Sequence, residues 1–188
     1  MIAVLKGKVV QKSGNVVLLE TGCGIVFEVI CDLPTSDELE TGREASLHVV
    51  MSISQEGVSL YGFSNEQKKA LFLSLLKVTG LGPRTALKIV SNEEVENVVA
   101  MIATQDVEGL SKIPGVGKKL AERIVTELKN QFEGVKVKNL STYHEAVEAL
   151  VSLGYPEKEA RKVVKEVVKP GLSTSEIIRQ ALRVLSKR

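Results

Sequence analysis

An internal repeat constrains the fold of this sequence more than any other feature. Residues 78–90 align without gaps on residues 113–125, at a constant offset of 35 positions. Each copy contains an apolar residue, a Gly-apolar-Gly turn, a basic residue two positions later, an alanine, a second basic residue and two β-branched residues. A self-similar segment of this kind indicates a repeated supersecondary unit. The sequence therefore predicts two helical hairpins of the same shape.

The paired glycines predict a turn that aims backbone N–H groups outward where a helix begins. Two glycines allow a tight turn, and the first N–H groups of a helix have no intrahelical acceptor. They also lie at the positive end of the helix dipole, which favours a phosphate oxygen. A longer side chain at either glycine would block the approach of a DNA backbone. The alternative interpretation is a plain tight corner between two helices, without a ligand.

Basic residues accompany both turns. One lies in the first turn after each loop, and another lies one helical turn further along the same face. Residues 109–130 hold five basic residues against two acidic ones. None of these groups is placed to read a base edge, so we predict sequence-independent, salt-sensitive DNA binding. The predicted phosphate-binding residues are Gly80, Gly82, Arg84, Lys88, Gly115, Gly117, Lys118, Lys119 and Arg123.

The first 63 residues have the alternating, β-branched pattern of strands. Five short antiparallel strands suit a small closed barrel, and the OB-fold is the commonest five-stranded version. The predicted strands are residues 2–11, 16–21, 24–30, 45–52 and 58–63.

At Ser64 the hydrophobic period becomes helical, and residues 64–67 are typical of a capping box. Residues 134–141 have neither period and are interpreted as a linker. The predicted fold class is therefore α+β and multidomain, with a barrel at 1–63, a helical domain at 64–133 and a three-helix domain at 142–188. Helices are predicted over residues 65–77, 84–91, 93–103, 105–110, 118–132, 142–152, 157–168 and 174–186.

Charge is distributed unevenly along the chain. The net charge of +2 is the sum of −4 for residues 1–64, +1 for residues 65–134 and +5 for residues 135–188. An acidic first third is not expected of a barrel that binds DNA directly.

No stretch approaches the roughly 18 apolar residues of a membrane span, and charge interrupts the opening residues too early for a signal peptide. We expect a cytoplasmic protein. Cys23 and Cys31 are expected to be buried, and no metal site is predicted.

Residues 113–124 resemble the second helix-hairpin-helix motif of the RuvA family. Residues 1–7, residues 60–63 and residues 149–155 are also similar to that family, so the resemblance covers essentially the whole chain. It implies an OB-fold barrel, tandem helix-hairpin-helix motifs and a mobile, UBA-like three-helix domain. It also implies a homotetramer, one or two of which hold a four-way (Holliday) junction open. The implied protein partners are the hexameric ATPase RuvB, which uses ATP and Mg²⁺, and RuvC resolvase; the chain itself needs no cofactor.

The resemblance assigns two further groups of residues. An acidic pin at the centre of the tetramer falls on Gln55 and Glu56, of which Glu56 alone is charged. Contacts with the motor fall on Leu150, Leu153, Tyr155 and Leu182. The alternative for these four residues is ordinary core packing, and Tyr155, beside a Gly/Pro break, is expected to be the most exposed.

The sequence argues against an enzyme. It contains no phosphate-binding Gly-x-x-x-x-Gly-Lys-Ser/Thr loop. Glu93, Glu94 and Glu96 form the densest acidic group of the helical part, and helix-dipole compensation explains the first two. The leading hypothesis is a non-catalytic junction-binding subunit. The alternatives are a helix-hairpin-helix repair enzyme of the glycosylase or nuclease type, and a general single-strand DNA-binding protein that uses the barrel.

Overall fold

The structure is a computed structural model that describes residues 2–55, 57–132, 138–167 and 172–186. For residues 138–144, 157, 158 and 165 it describes the backbone alone. The chain divides into two compact units, Met1–Glu133 and Gly134–Arg188. No helix among the described residues is long and apolar enough to span a membrane.

A closed five-stranded barrel opens the first unit, with the strand order β1-β2-β3-β5-β4. Four of the neighbouring pairs are antiparallel, whereas β3 and β5 pair in parallel through Ile30–Tyr61 and Cys31–Gly62. The prediction of a closed barrel is confirmed. The prediction of antiparallel strands is wrong at this one pair, because strand direction cannot alternate at every pair of a closed ring that has an odd number of strands. The strands are β1 (Val4–Ser13), β2 (Val16–Thr21), β3 (Val26–Cys31), β4 (Glu44–Ser54) and β5 (Gly57–Phe63).

The sequence patterns missed the helix between β3 and β4, α1 (Leu33–Glu38). Its N-cap is Asp32, whose buried carboxylate accepts hydrogen bonds from Thr35 N and Thr35 Oγ1. The same carboxylate forms an ion pair with Lys68 Nζ at 2.8 Å. Thr35 Oγ1 in turn accepts from Ser64 N at 3.0 Å. The sequence signal that could have identified α1 is Asp32 followed by Pro34, since Asp is a common N-cap and Pro is common in the first helical turn. This buried carboxylate ties α1 to the start of the helical part.

Five helices complete the first unit. The N-cap of the first of them, α2, is Asn65, whose side chain accepts from Lys68 N at 2.9 Å. The predicted capping box beginning at Ser64 is therefore wrong, because the Ser64 N–H is used on Thr35. The five helices are α2 (Glu66–Leu75), α3 (Pro83–Asn92), α4 (Val95–Ala103), α5 (Val107–Ser111) and α6 (Lys118–Phe132).

One apolar core joins the barrel to these helices. The ring of Phe72 on α2 lies 5.1 Å from that of Tyr61 and 5.0 Å from that of Phe63, both on β5. Phe63 and Phe72 are fully buried, and the same core continues through the apolar faces of α3, α4 and α6. The strands and helices on either side of residue 63 are thus packed as one body.

The two cysteines lie in different environments. Cys31 is buried, and its burial, with the charge of Asp32 beside it, raises the pKa of the thiol to about 12. Cys23 is exposed in the β2–β3 turn, where a hydrogen bond with Thr21 lowers its pKa. The prediction that both cysteines are buried is therefore wrong for Cys23, because a turn residue has no second layer to cover it.

The second unit contains α7 (Lys138–Ser152), α8 (Glu157–Val167) and α9 (Thr174–Leu185). Residues 138–141, interpreted as linker, are helical. The prediction missed them because hydrophobic periodicity defines the middle of a helix better than its ends. Residues 134–137 lie outside the described residues. A capping box between Ser173 and Glu176 begins α9. The three helices enclose a small core of Ala, Val, Leu and Ile side chains. With the barrel and the helices of the first unit, they confirm the predicted α+β fold class.

Candidate nucleic-acid interface

The two repeat copies form two helical hairpins with the same turn. Loop 1 (residues 76–82) joins α2 to α3, and loop 2 (residues 112–117) joins α5 to α6. Leu81 N donates to Val78 O at 3.1 Å, and the equivalent Val116 N donates to Ile113 O at 2.9 Å. The first glycines also match, with φ of +81° at Gly80 and +90° at Gly115. Glycine is required there because other residues are strained in the left-handed region.

The apolar residues of both loops anchor them in the core. Val78, Leu81, Ile113 and Val116 are all buried. The residues between and after them consequently face solvent, and all four repeat glycines are exposed. Each loop is therefore held from inside by its apolar side chains while its backbone is presented outward.

The second glycine of each loop lies in open space just before a helix, with a backbone that does not require glycine. Gly82 has an extended backbone, with φ −87° and ψ 169°, and Gly117 is likewise outside the left-handed region. A Cβ added to either would meet no atom of the described residues within 4 Å. Neither backbone strain nor a clash within the described protein therefore requires glycine at these positions. The remaining reason is the close approach of a bound molecule, which a side chain would block. This observation favours a bound phosphate backbone over a plain tight corner.

The helices after the loops begin in equivalent ways. Ala86 N donates to Gly82 O at 3.0 Å, and Ala121 N donates to Gly117 O at 2.9 Å. The N–H groups that precede these alanines therefore lie in the first helical turn, where most have no intrahelical acceptor. Pro83 removes one donor from α3, whereas Lys118 supplies one at the same position of α6. The start of α6 thus offers one more backbone donor than the start of α3.

The five predicted basic residues are all exposed, as Arg84 and Lys88 on α3 and Lys118, Lys119 and Arg123 on α6. The second basic residue of each copy lies against the loop of the other copy. Arg123 Nη1 donates to Thr79 O in loop 1 at 3.3 Å. Lys88 Cδ lies 3.6 Å from the place that a Cβ on Gly115 would occupy. The fold therefore brings the two halves of the repeat together, which the spacing along one helix face did not predict.

The sequence analysis did not identify Thr79 and Glu127 as residues of this site. Glu127 Oε2 accepts hydrogen bonds from Thr79 N at 3.0 Å and from Thr79 Oγ1 at 3.4 Å. Glu127 lies two residues beyond the aligned repeat, and its counterpart in the first copy is Asn92. No signal in the repeat could have identified an acidic residue here, because the motif suggests basic partners.

Of the two predicted pin residues, Gln55 lies at the tip of the β4–β5 hairpin. Ser54 pairs with Gly57 at this end of the two strands. Gln55 is exposed, and Glu56 lies outside the described residues. The role of the pin remains a prediction.

The predicted motor contacts differ in accessibility. Leu150 is fully buried in the core of the second unit, so its side chain is a packing residue and cannot form a surface contact. Leu153 is 61% exposed. Tyr155 and Leu182 are partly buried and pack against the core. The expectation that Tyr155 is the most exposed of the four is wrong, because its ring packs against the core near the end of α7. Leu153 is the most exposed of them.

The acidic residues considered for catalysis lie at the ends of two helices. Glu94 is the N-cap of α4 and Glu96 lies in its first turn, where acidic groups complement the helix dipole. The prediction that Glu93 belongs to the start of this helix is wrong, because Glu93 is the C-cap of α3 and its N–H donates to Ile89 O. Among the described residues, no three His, Cys, Asp or Glu side chains are grouped to hold a metal ion. Of the aromatic residues on the barrel strands, Tyr61 and Phe63 are buried in the core and cannot stack on bases, and Phe27 is partly buried. This disfavours single-strand binding by the barrel.

Comparisons with known proteins agree along the whole chain. The model described as RuvA N terminal domain matches residues 1–62, the SAM-like helix-hairpin-helix tandem matches residues 72–130, and the RuvA C-terminal domain matches residues 141–186. Holliday junction branch migration complex subunit RuvA of Thermotoga maritima is 61% identical over 188 residues, covering 100% of both chains. The protein of the same name from Fervidobacterium nodosum is 43% identical with 100% of both chains covered, and that of Yersinia pestis is 37% identical with 97% of this chain and 98% of its own covered. Full coverage at this identity, together with the paired hairpins, shows that the chain belongs to the RuvA family.

Proposed function

We propose that this protein is a non-catalytic subunit that binds four-way (Holliday) junctions irrespective of sequence and holds them open for branch migration by the ATPase RuvB. This activity serves homologous recombination and DNA repair in the cytoplasm. The observation that carries the proposal is the pair of matching hairpins, each with an exposed, open second glycine at a helix start. The printed name of the relatives, a Holliday junction branch migration complex subunit, supports the same assignment.

The hairpins would act on the phosphates of one junction arm. Backbone N–H groups at the starts of α3 and α6 donate to phosphate oxygens, and the helix dipoles favour the negative charge. Arg84, Lys118 and Lys119 add charge in the first turns, while Arg123 holds loop 1 by a hydrogen bond and Lys88 lies beside loop 2. These contacts carry no sequence information, so the recognition would depend on the arrangement of the arms.

Four copies around the junction would match its four arms, and a closed cyclic assembly presents the same surface to each of them. In that assembly Gln55 and Glu56 would form the pin at the crossover. Residues 1–63 and 64–133 would act as the junction-binding part, and residues 142–188 as the part that recruits RuvB. RuvC resolvase is a further proposed partner. ATP and Mg²⁺ would be used by the motor, and the chain itself would need no cofactor.

Removal of the two first-turn charges tests the phosphate contacts. Arg84→Ala combined with Lys119→Ala should weaken binding to four-way junctions of every sequence. Because each phosphate contact contributes about 0.9 to the slope of log affinity against log salt, the slope should flatten by roughly 1.8. The measurement is a fluorescence-anisotropy titration at several salt concentrations. Lys6→Ala combined with Lys8→Ala, a pair of exposed lysines on β1, removes the same charge and should leave the slope unchanged. An unchanged slope in the Arg84/Lys119 variant would contradict the proposal.

Substitution of the exposed leucine tests the recruitment of the motor. Leu153→Ser should reduce the apparent affinity for RuvB on junctions by roughly 10- to 100-fold, since burial of a leucine is worth about 1.5–3 kcal/mol. Junction binding without the motor should stay at the wild-type level. The measurements are ATP-dependent branch migration at increasing RuvB concentration and junction binding alone. Leu33→Ser, at a 52% exposed leucine of α1, is the control; equal loss in both variants would argue against a specific contact at Leu153.

A further inference from the structure

Helix α6 of the second hairpin holds loop 1 of the first hairpin at a single residue, Thr79. The Thr79 N–H and hydroxyl donate to Glu127 Oε2, and the Thr79 carbonyl accepts from Arg123 Nη1 at 3.3 Å. Glu127 and Arg123 are four positions apart and therefore lie on the same face of α6. Two successive peptide groups of loop 1 are thus fixed by side chains of the other repeat copy. These three residues are named here the Thr79 clamp.

The clamp determines the direction of the next backbone donor. In a trans peptide the N–H points away from the C=O of the same group. Because Arg123 draws the Thr79 carbonyl toward α6, the Gly80 N–H must point away from α6. Gly80 also adopts φ +81°, and a Cβ there would lie 3.1 Å from Arg123 Nη1, so the loop and the guanidinium are closely packed. A glycine turn without the clamp would be free to rotate this peptide group.

Loop 2 lacks a corresponding clamp and has a different source of rigidity. Pro114 stands where loop 1 has Thr79, so it has no N–H and its φ is fixed by its ring. The counterpart of Glu127 is Asn92, whose side chain donates to Lys88 O of its own helix at 2.8 Å. A carboxylate at Asn92 would find no N–H to accept from at Pro114. The two copies therefore reach the same turn, one with proline and the other with the Thr79 clamp.

We propose that Glu127 is a positioning residue that presets loop 1 for phosphate binding, with Arg123 as its partner in the Thr79 clamp. This inference rests on the proposed junction binding and goes beyond it by linking the two hairpins. A carboxylate next to a phosphate site should by itself weaken DNA binding through charge repulsion. The positioning role explains why an acidic side chain nevertheless lies beside the basic loop, since its oxygen accepts the Thr79 N–H.

Two substitutions at Glu127 separate positioning from charge. Glu127→Gln keeps an oxygen acceptor for Thr79 N and removes the charge, so junction affinity should stay equal to wild type or become up to about threefold tighter. Glu127→Ala removes the acceptor as well, and we expect an affinity roughly 5- to 10-fold weaker than that of Glu127→Gln. If charge repulsion were the only effect, both variants would bind equally more tightly, and that result would overturn the proposal. The salt slope should be unchanged in both, because Glu127 contacts no phosphate.

A proline in loop 1 provides the matched control. Thr79→Pro copies the residue that loop 2 has in the same turn, and it removes the N–H that Glu127 accepts. In this background Glu127→Ala should no longer weaken binding, whereas a structural defect caused by the alanine would persist. Thermal unfolding of each full-length variant confirms that the fold is intact. If Glu127→Ala lowered junction affinity equally in the wild-type and Thr79→Pro backgrounds, the positioning role would be refuted and the proposed function would stand. If the wild-type protein failed to bind a four-way junction, the proposed function itself would be refuted.

Discussion

Valine at both Gly82 and Gly117 should reduce the affinity for four-way junctions by roughly 100-fold or more, with the fold intact. Each substitution removes the close approach of a phosphate to N–H donors, and a hydrogen bond to a charged group is worth about 1.5–3 kcal/mol. Two hairpins together give roughly 3–6 kcal/mol, which corresponds to at least about 100-fold in affinity. The side chains themselves are tolerated, because Gly82 has an extended backbone and both positions face open space. Loss of N-cap glycine should lower stability only modestly, by about 1 kcal/mol.

A third glycine provides the control for this experiment. Gly22 in the β2–β3 turn is also exposed, lies outside the left-handed region and has no described atom within 4 Å of an added Cβ. Gly22→Val should leave junction affinity at the wild-type value. The measurements are junction titrations by anisotropy together with thermal unfolding of all variants. A folded Gly82/Gly117 double variant that still binds junctions at wild-type affinity would show that DNA does not approach these corners.

Phe72→Ala should lower the free energy of unfolding of the first unit by about 3–5 kcal/mol, the usual loss when a buried aromatic ring is removed. Phe72 is fully buried and packs against the rings of Tyr61 and Phe63. Such a loss is a large fraction of the roughly 5–15 kcal/mol by which domains are stable. Because these rings connect β5 to α2, the barrel and the helices should lose protection together. Hydrogen exchange of backbone amides in β5 and α3 measures both parts in one sample.

A less buried phenylalanine provides the comparison. Phe132 at the end of α6 is only partly buried at the edge of the same core, so Phe132→Ala should destabilise by about 1–2 kcal/mol. If Phe72→Ala raised exchange in the helices but left the β5 amides protected, the barrel and the helices would be independent bodies. That outcome would contradict the shared core.

Much of the candidate site could be predicted from the sequence because its determinants are local. The 35-residue offset brings glycines, basic residues and apolar anchors into register, and the same local turn follows wherever those residues recur. The φ values of Gly80 and Gly115 and the matching loop hydrogen bonds confirm that turn. Helix positions α2 to α6 were predicted to within a few residues for the same reason, since apolar period and capping act over one or two turns.

Features that join distant segments were not predictable in this way. The parallel β3–β5 pair and the buried Asp32–Lys68 ion pair link residues 31 to 36 positions apart. The burial of Leu150 depends on how α8 and α9 pack against α7, and a helical pattern gives its face but not what covers that face.

The sequence by itself determined that this chain has a strand-rich first part, helical later parts and two equivalent glycine hairpins. Only the tertiary structure decided that the second hairpin braces the first, with Arg123 and Glu127 on Thr79, and that Lys88 lies beside Gly115. The physical reason is the range of the forces involved. Turn geometry and helix starts depend on neighbours within a few residues, whereas a side chain that reaches across 44 to 48 positions finds its partner only after the apolar core has brought the helices together.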